Sequence, residues 1–124
     1  MTDALNSREQ GQTFAPRFDA QGLLTAVVVN SADSTVLMVA FMDEEALEAT
    51  RNSGFAHFHS RSRGRLWKKG ETSGHVLAVD RILVDCDQDT LVLFCNPAGP
   101  TCHTGARSCF YRELKGATLH PVTS

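Results

Sequence analysis

No run of apolar residues approaches the length of a membrane span, so the 124-residue chain has no candidate transmembrane helix. Met1 to Gln12 is polar and lacks the apolar stretch of a secretory signal, which makes the reducing cytoplasm the expected compartment. Net charge is nearly absent too. A balance of -2 gives no global field to draw a nucleic acid or a membrane surface. Internal repeats and low-complexity tracts are missing. With 42% apolar and 21% charged residues, the composition is that of one ordinary globular domain. The expected division is a polar, mobile tail over 1–14 and a single domain over 15–124.

Four cysteines are present: Cys86, Cys95, Cys102 and Cys109. In a secreted protein an even number would suggest two disulfides. In a reducing compartment, clustered thiols more often bind metal or do chemistry.

The pattern predicts an α+β domain built on a mostly antiparallel sheet with one or two helices. Leu23–Asn30 and Val36–Met42 read as strands joined by a turn at Ser31–Ser34. Asp43 is a candidate N-cap, with Glu44 and Glu45 in the first helical turn and Gly54 as the stop. Phe55–Ser60 alternates as a strand, Arg61–Arg65 reads as a turn, and Leu66–Lys68 as a short strand. Gly70–Gly74 reads as a loop, and Val76–Val84 and Thr90–Cys95 as two further strands. Asn96–Pro100 is expected to be a loop, because proline breaks a ladder. Phe110–Leu114 is expected to be a final strand or a helical turn.

Two clusters carry the chemistry. Asp85, Asp87 and Asp89 alternate with Cys86 and Gln88. In extended chain the three carboxylates would share one face and Cys86 would point away. Their mutual repulsion is relieved by a divalent cation, and hard oxygen donors suit magnesium. A solvated acidic turn is the competing reading. Cys102, His103 and Cys109 form the second cluster. With Cys86 as third ligand, three thiolates would leave zinc an open position for water, whose pKa the metal lowers. Cys95 ends an apolar run and reads as core, although as a fourth ligand it would close the site into a structural one. His103 suits a general base or proton shuttle, a fourth ligand, or a plain loop histidine.

A basic segment precedes these clusters. Arg61, Arg63, Arg65, Lys68 and Lys69 crowd into nine residues, beside Ser60, Ser62, Thr72 and Ser73. Cations, hydroxyls and glycine amides together can cradle phosphate, and Trp67 could stack on a base. Five basic residues on a neutral protein make a poor nucleic-acid surface, so a small phosphorylated ligand fits better. His57 and His59 share a strand face and have no assigned role.

Taken together, Ser60–Arg63, Leu66–His75, Asp85–Asp89, Gly99–Gly105 and Ser108–Phe110 closely resemble the phosphoribosyl-AMP cyclohydrolase family of histidine biosynthesis. The resemblance runs over roughly 14–114, in order and without a large gap. It implies zinc ligands at Cys86, Cys102 and Cys109 and magnesium ligands at Asp85, Asp87 and Asp89. It also implies an intertwined homodimer, with one zinc per subunit shared across the interface between Cys86 of one chain and Cys102 and Cys109 of the other. The implied reaction is attack of a zinc-bound hydroxide on adenine C6 of N1-(5-phosphoribosyl)-AMP. His103 would handle protons, and Glu71 would assist proton transfer or fix the loop. Arg61, Arg63, Trp67, Lys69, Thr72 and Ser73 would hold the nucleotide. The chain ends at Ser124, which suggests a monofunctional enzyme. One departure stands out: Leu77 occupies a position where the family pattern suggests a polar Gln.

Overall fold

A computed structural model describes residues 9–122. Most of the expected mobile tail, residues 1–8, therefore lies outside the described residues. Among the described residues, eight strands and a helix form the framework: β1 (Leu24–Asn30), β2 (Val36–Met42), α1 (Glu44–Ser53), β3 (His57–Ser60), β4 (Arg65–Lys68), β5 (Leu77–Val84), β6 (Thr90–Pro97), β7 (Arg112–Lys115) and β8 (Thr118–Pro121). The first six strands make one sheet in the order β4-β3-β2-β1-β6-β5. Every neighbouring pair is antiparallel except β1 and β6, which run parallel with Val27 beside Val92. The fold is thus α+β with a mixed sheet.

The local signals explain the elements. β1 and β2 are rich in β-branched and apolar residues, and the hairpin between them places Val27 opposite Val39. The Asp43 carboxylate accepts from Ala46 N at 2.8 Å and caps α1. Gly54, at φ 80°, ends the helix in the left-handed conformation, and its N–H bonds the Thr50 carbonyl.

The sheet curls around a core of Val28, Leu37, Met42, Phe58, Leu77, Leu91, Leu93 and Cys95, all fully buried. α1 closes one side with Ala46 and Leu47. The curl brings edge strand β5 back to the chain entering β3. Ala56 N donates to Leu77 O at 3.0 Å, and Val79 N to Gly54 O at 2.8 Å. Leu77 has no exposed surface. That apolar residue is a packing position, so its side chain is not available to a ligand.

Two expectations need correction. Asn96 and Pro97 are strand, not loop: they pair with Ala78 and Leu77 at the end of β6. Proline is tolerated there because β1 stops at Asn30, opposite Cys95, so no β1 carbonyl needs its missing N–H. The C-terminal region is also a full hairpin rather than a single strand or helical turn. In it Leu114 faces Leu119 and both are largely exposed.

Candidate functional site

β5 and β6 are joined by the acidic turn. The segment is not extended as the alternation suggested. Gln88 N donates to Asp85 O at 3.1 Å, and Gln88 adopts φ 60°, so the chain reverses within five residues. The carboxylates converge nevertheless. One oxygen from each of Asp85, Asp87 and Asp89 lies within 4.8 Å of the others, the only such grouping of three or more acidic, histidine or cysteine donors among the described residues. Asp85 experiences a burial penalty that raises its pKa. Hydrogen bonds from Thr90 N, from Asp87 and Asp89, and from Asp89 N outweigh it and lower the net value. The neighbouring carboxylates of Asp85 and Asp89 raise that of Asp87. Arg17 lies 3.8 Å from Asp87. The buried Gln88 ties the turn to the N-terminal segment, accepting from Ala15 N at 2.7 Å. This crowd of oxygens fits a hard divalent cation.

The thiols divide. Cys102 and Cys109 are neighbours in the loop after β6. The Thr104 hydroxyl donates to Cys102 Sγ at 3.1 Å and, with Cys109 and Lys69, holds that thiol below its ordinary value. Cys109 is an exposed residue, but partial desolvation of its thiol pushes it up, and Cys102 adds to the rise. Cys109 N anchors the loop on Leu37 O at 2.8 Å. Cys86 is exposed in the acidic turn, at the other end of β6. A strand of eight residues separates it from the other two. Cys95 is fully buried in the core, and burial followed by the charge of Asp80 pushes its thiol to about 12. It therefore supplies no thiolate for a closed four-cysteine site. His103 is exposed beside Cys102.

The basic residues also separate into two places. Arg61 and Arg63 line a groove of about 930 Å³ together with Trp67, Ser60, Ser62 and His59. The Arg61 guanidinium lies 4.2 Å over the Phe41 ring, and Trp67 packs against Phe58 at 5.3 Å between ring centroids. Trp67 is thus both core and groove wall. Lys69, Thr72 and Ser73 are not in that lining. They belong to the β4–β5 loop, where Lys69 acts electrostatically on the Cys102–Cys109 pair. Glu71 holds the same loop. It accepts from Lys68 N at 2.9 Å and pairs with Arg65 at 3.3 Å, contacts that lower its pKa in that order. His75 braces the loop against the thiol segment. A Cβ on Gly99 would fall 2.6 Å from the imidazole Cδ2.

Sequence reasoning did not find Arg65 as the partner of Glu71, Phe41 as the floor under Arg61, or His59 as a groove residue. The first depends on how the chain turns after β4, the other two on strand register. Phe41 pairs with His59, and His59 with Leu66, in contacts that no local motif encodes.

An acidic turn fit for a cation, a thiol pair at the far end of the same strand and an open basic groove define a small metal-using enzyme for a phosphorylated ligand. The chain belongs to the phosphoribosyl-AMP cyclohydrolase family, whose family model matches residues 38–111. Every candidate site residue from Arg61 to Cys109 falls within that span. A phosphoribosyl-AMP cyclohydrolase of Erythrobacter litoralis is 63% identical over 115 residues, covering 93% of this chain and 92% of the relative. That of Rhizorhabdus wittichii is 61% identical over 114 residues, with 90% and 92% covered. That of Brucella anthropi is 59% identical over 108 residues, with 86% and 77% covered.

Proposed function

We propose that this chain hydrolyses the N1–C6 bond of N1-(5-phosphoribosyl)-AMP, opening the adenine ring to the formimino-aminoimidazole-carboxamide nucleotide in the third step of histidine biosynthesis. The observation that carries the reading is the family match over 38–111, which includes every candidate ligand and substrate residue.

N1-ribosylation makes purine C6 electrophilic. Water adds at C6 and the N1–C6 bond breaks. Soft thiolates at Cys86, Cys102 and Cys109 are a donor set for zinc, and Asp85, Asp87 and Asp89 one for magnesium. Zinc, when bound, supplies a water acidified towards neutral pH. His103, exposed beside Cys102, takes up and returns the proton. Glu71 keeps the β4–β5 loop in place. Arg61 and Arg63 bind phosphate from the groove, and Lys69, Thr72 and Ser73 bind phosphate from the β4–β5 loop. Trp67 offers an apolar wall to the base. Asp85, Asp87 and Asp89 would hold a divalent cation, which would supply positive charge for the nucleotide.

A homodimer with shared zinc sites is part of this reading. Cys86 and the Cys102–Cys109 pair lie at opposite ends of β6, so a site using all three takes Cys86 from a second subunit. The exposed Leu114 and Leu119 of the β7–β8 hairpin support association, because a lone two-stranded hairpin is marginal in water. Among the described residues no helix is long and apolar enough to cross a membrane. We place the enzyme in the cytoplasm, where its thiols stay reduced.

The test is an ultraviolet assay with N1-(5-phosphoribosyl)-AMP, with and without a zinc chelator. Turnover abolished by chelation, and absent in folded Cys102→Ala, is expected. Substantial activity in zinc-replete Cys102→Ala would remove the thiol site from the reaction.

A further inference from the structure

The groove contains one titratable side chain that the reading above does not use. His59 lies on β3, opposite Phe41 of β2 and Leu66 of β4. Its Nδ1 is closed off from solvent and makes no aligned hydrogen bond, yet it lies 3.2 Å from Asp43 Oδ2. Asp43 divides its two oxygens between tasks: Oδ1 caps α1 through Ala46 N, and Oδ2 faces the imidazole. The helix start therefore holds the ring. With Nδ1 turned inward, Nε2 is the polar atom left to the groove, whose lining His59 shares with Ser60, Arg61, Ser62 and Arg63. A phosphate there would meet two guanidinium groups, two hydroxyls and an imidazole whose Nδ1 side Asp43 already occupies.

We propose that His59, positioned by Asp43, is a specificity residue of the groove: its Nε2 contacts a substrate phosphate beside Arg61 and Arg63 and selects nucleotides over nucleosides. The proposal rests on the functional reading above for its substrate, while the phosphate contact is measurable without turnover. Asp43 is thereby a positioning residue, acting through the ring it holds.

The experiment combines steady-state kinetics on N1-(5-phosphoribosyl)-AMP with calorimetric binding of AMP and of adenosine. His59→Phe keeps an aromatic ring but no donor. It should raise KM about tenfold and cut the AMP-over-adenosine preference about tenfold, with kcat within about twofold, the loss of one hydrogen bond to a charged group. His59→Gln, which keeps an N–H donor, should recover most of the preference. Asp43→Asn, which preserves the cap, should move KM in the same direction by less. The proposal is overturned if His59→Phe leaves KM and the AMP preference unchanged. A folded His59→Gln no better than the Phe variant overturns it equally. If the wild-type protein binds AMP over adenosine but opens no purine ring, the functional reading fails while the phosphate contact stands on its own measurement.

Discussion

Two inactive variants of this enzyme should restore each other when mixed. β6 spans eight residues from Thr90 to Pro97. At about 3.3 Å per residue, its ends are roughly 23 Å apart. Thiolates sharing one zinc sit about 2.3 Å from the metal, hence no more than roughly 4.6 Å from each other. Cys86 precedes β6 and Cys102 follows it, so one subunit cannot bring them to a common ion without dismantling its central sheet. Cys86→Ala and Cys102→Ala are each expected to be inactive as homodimers. After subunit exchange, about half of the dimers are mixed. Each mixed dimer has one site with both cysteines removed and one intact, so about a quarter of wild-type activity should return. The assay is ring opening followed by ultraviolet absorbance after co-incubation with zinc, with heterodimer content checked by native mass spectrometry. A mixture that stays inactive although heterodimers have formed would refute the shared site. Wild-type activity in either single variant would refute the role of that thiol.

Other consequences follow from local geometry. Cys95 should resist a thiol reagent at pH 8 in the native state and react only on unfolding, because burial holds it as a thiol with a pKa of about 12. Reaction of Cys95 in the native protein at the rate seen after unfolding would contradict the core assignment. Gly70 adopts φ 84°, and a Cβ there would lie 2.5 Å from the His75 carbonyl carbon. Gly70→Ala should therefore cost more than about 1 kcal/mol in urea unfolding. Arg107 and then Thr35 hold Asp33 at about 2, below its ordinary 3.8. A lowered carboxylate pKa contributes stability that is present above 3.8 and lost as pH falls through about 2. Asp33→Asn should flatten that part of the acid limb in thermal melts. The effect should be small, since both partners are largely exposed.

Much of the frame was legible in local chemistry. Asp43, the acidic first turn and Gly54 delimited α1 because capping is settled within a few residues. The β1–β2 hairpin followed from β-branched runs around a short turn. The donor types were legible as well, since carboxylate and thiolate preferences belong to the side chains themselves. The acidic cluster converged for a different reason than alternation. A turn with Gln88 at positive φ gathers the three oxygens, and that conformation is held by long-range bonds to the N-terminal segment. The loop expected at Asn96–Pro97 failed because proline's local penalty depends on whether a neighbour strand needs its N–H.

The amino-acid sequence by itself determined the residue types at the site, their order and the family, because these are properties of the chain as written. Only the tertiary structure decided which of those residues meet. It placed β6 parallel to β1, set Cys86 and Cys102 at opposite ends of one strand, divided the basic residues between a groove and a loop, and brought His59 against Asp43. Strand pairing between distant segments is chosen by burial of the whole apolar set at once, and no single stretch of chain contains that information.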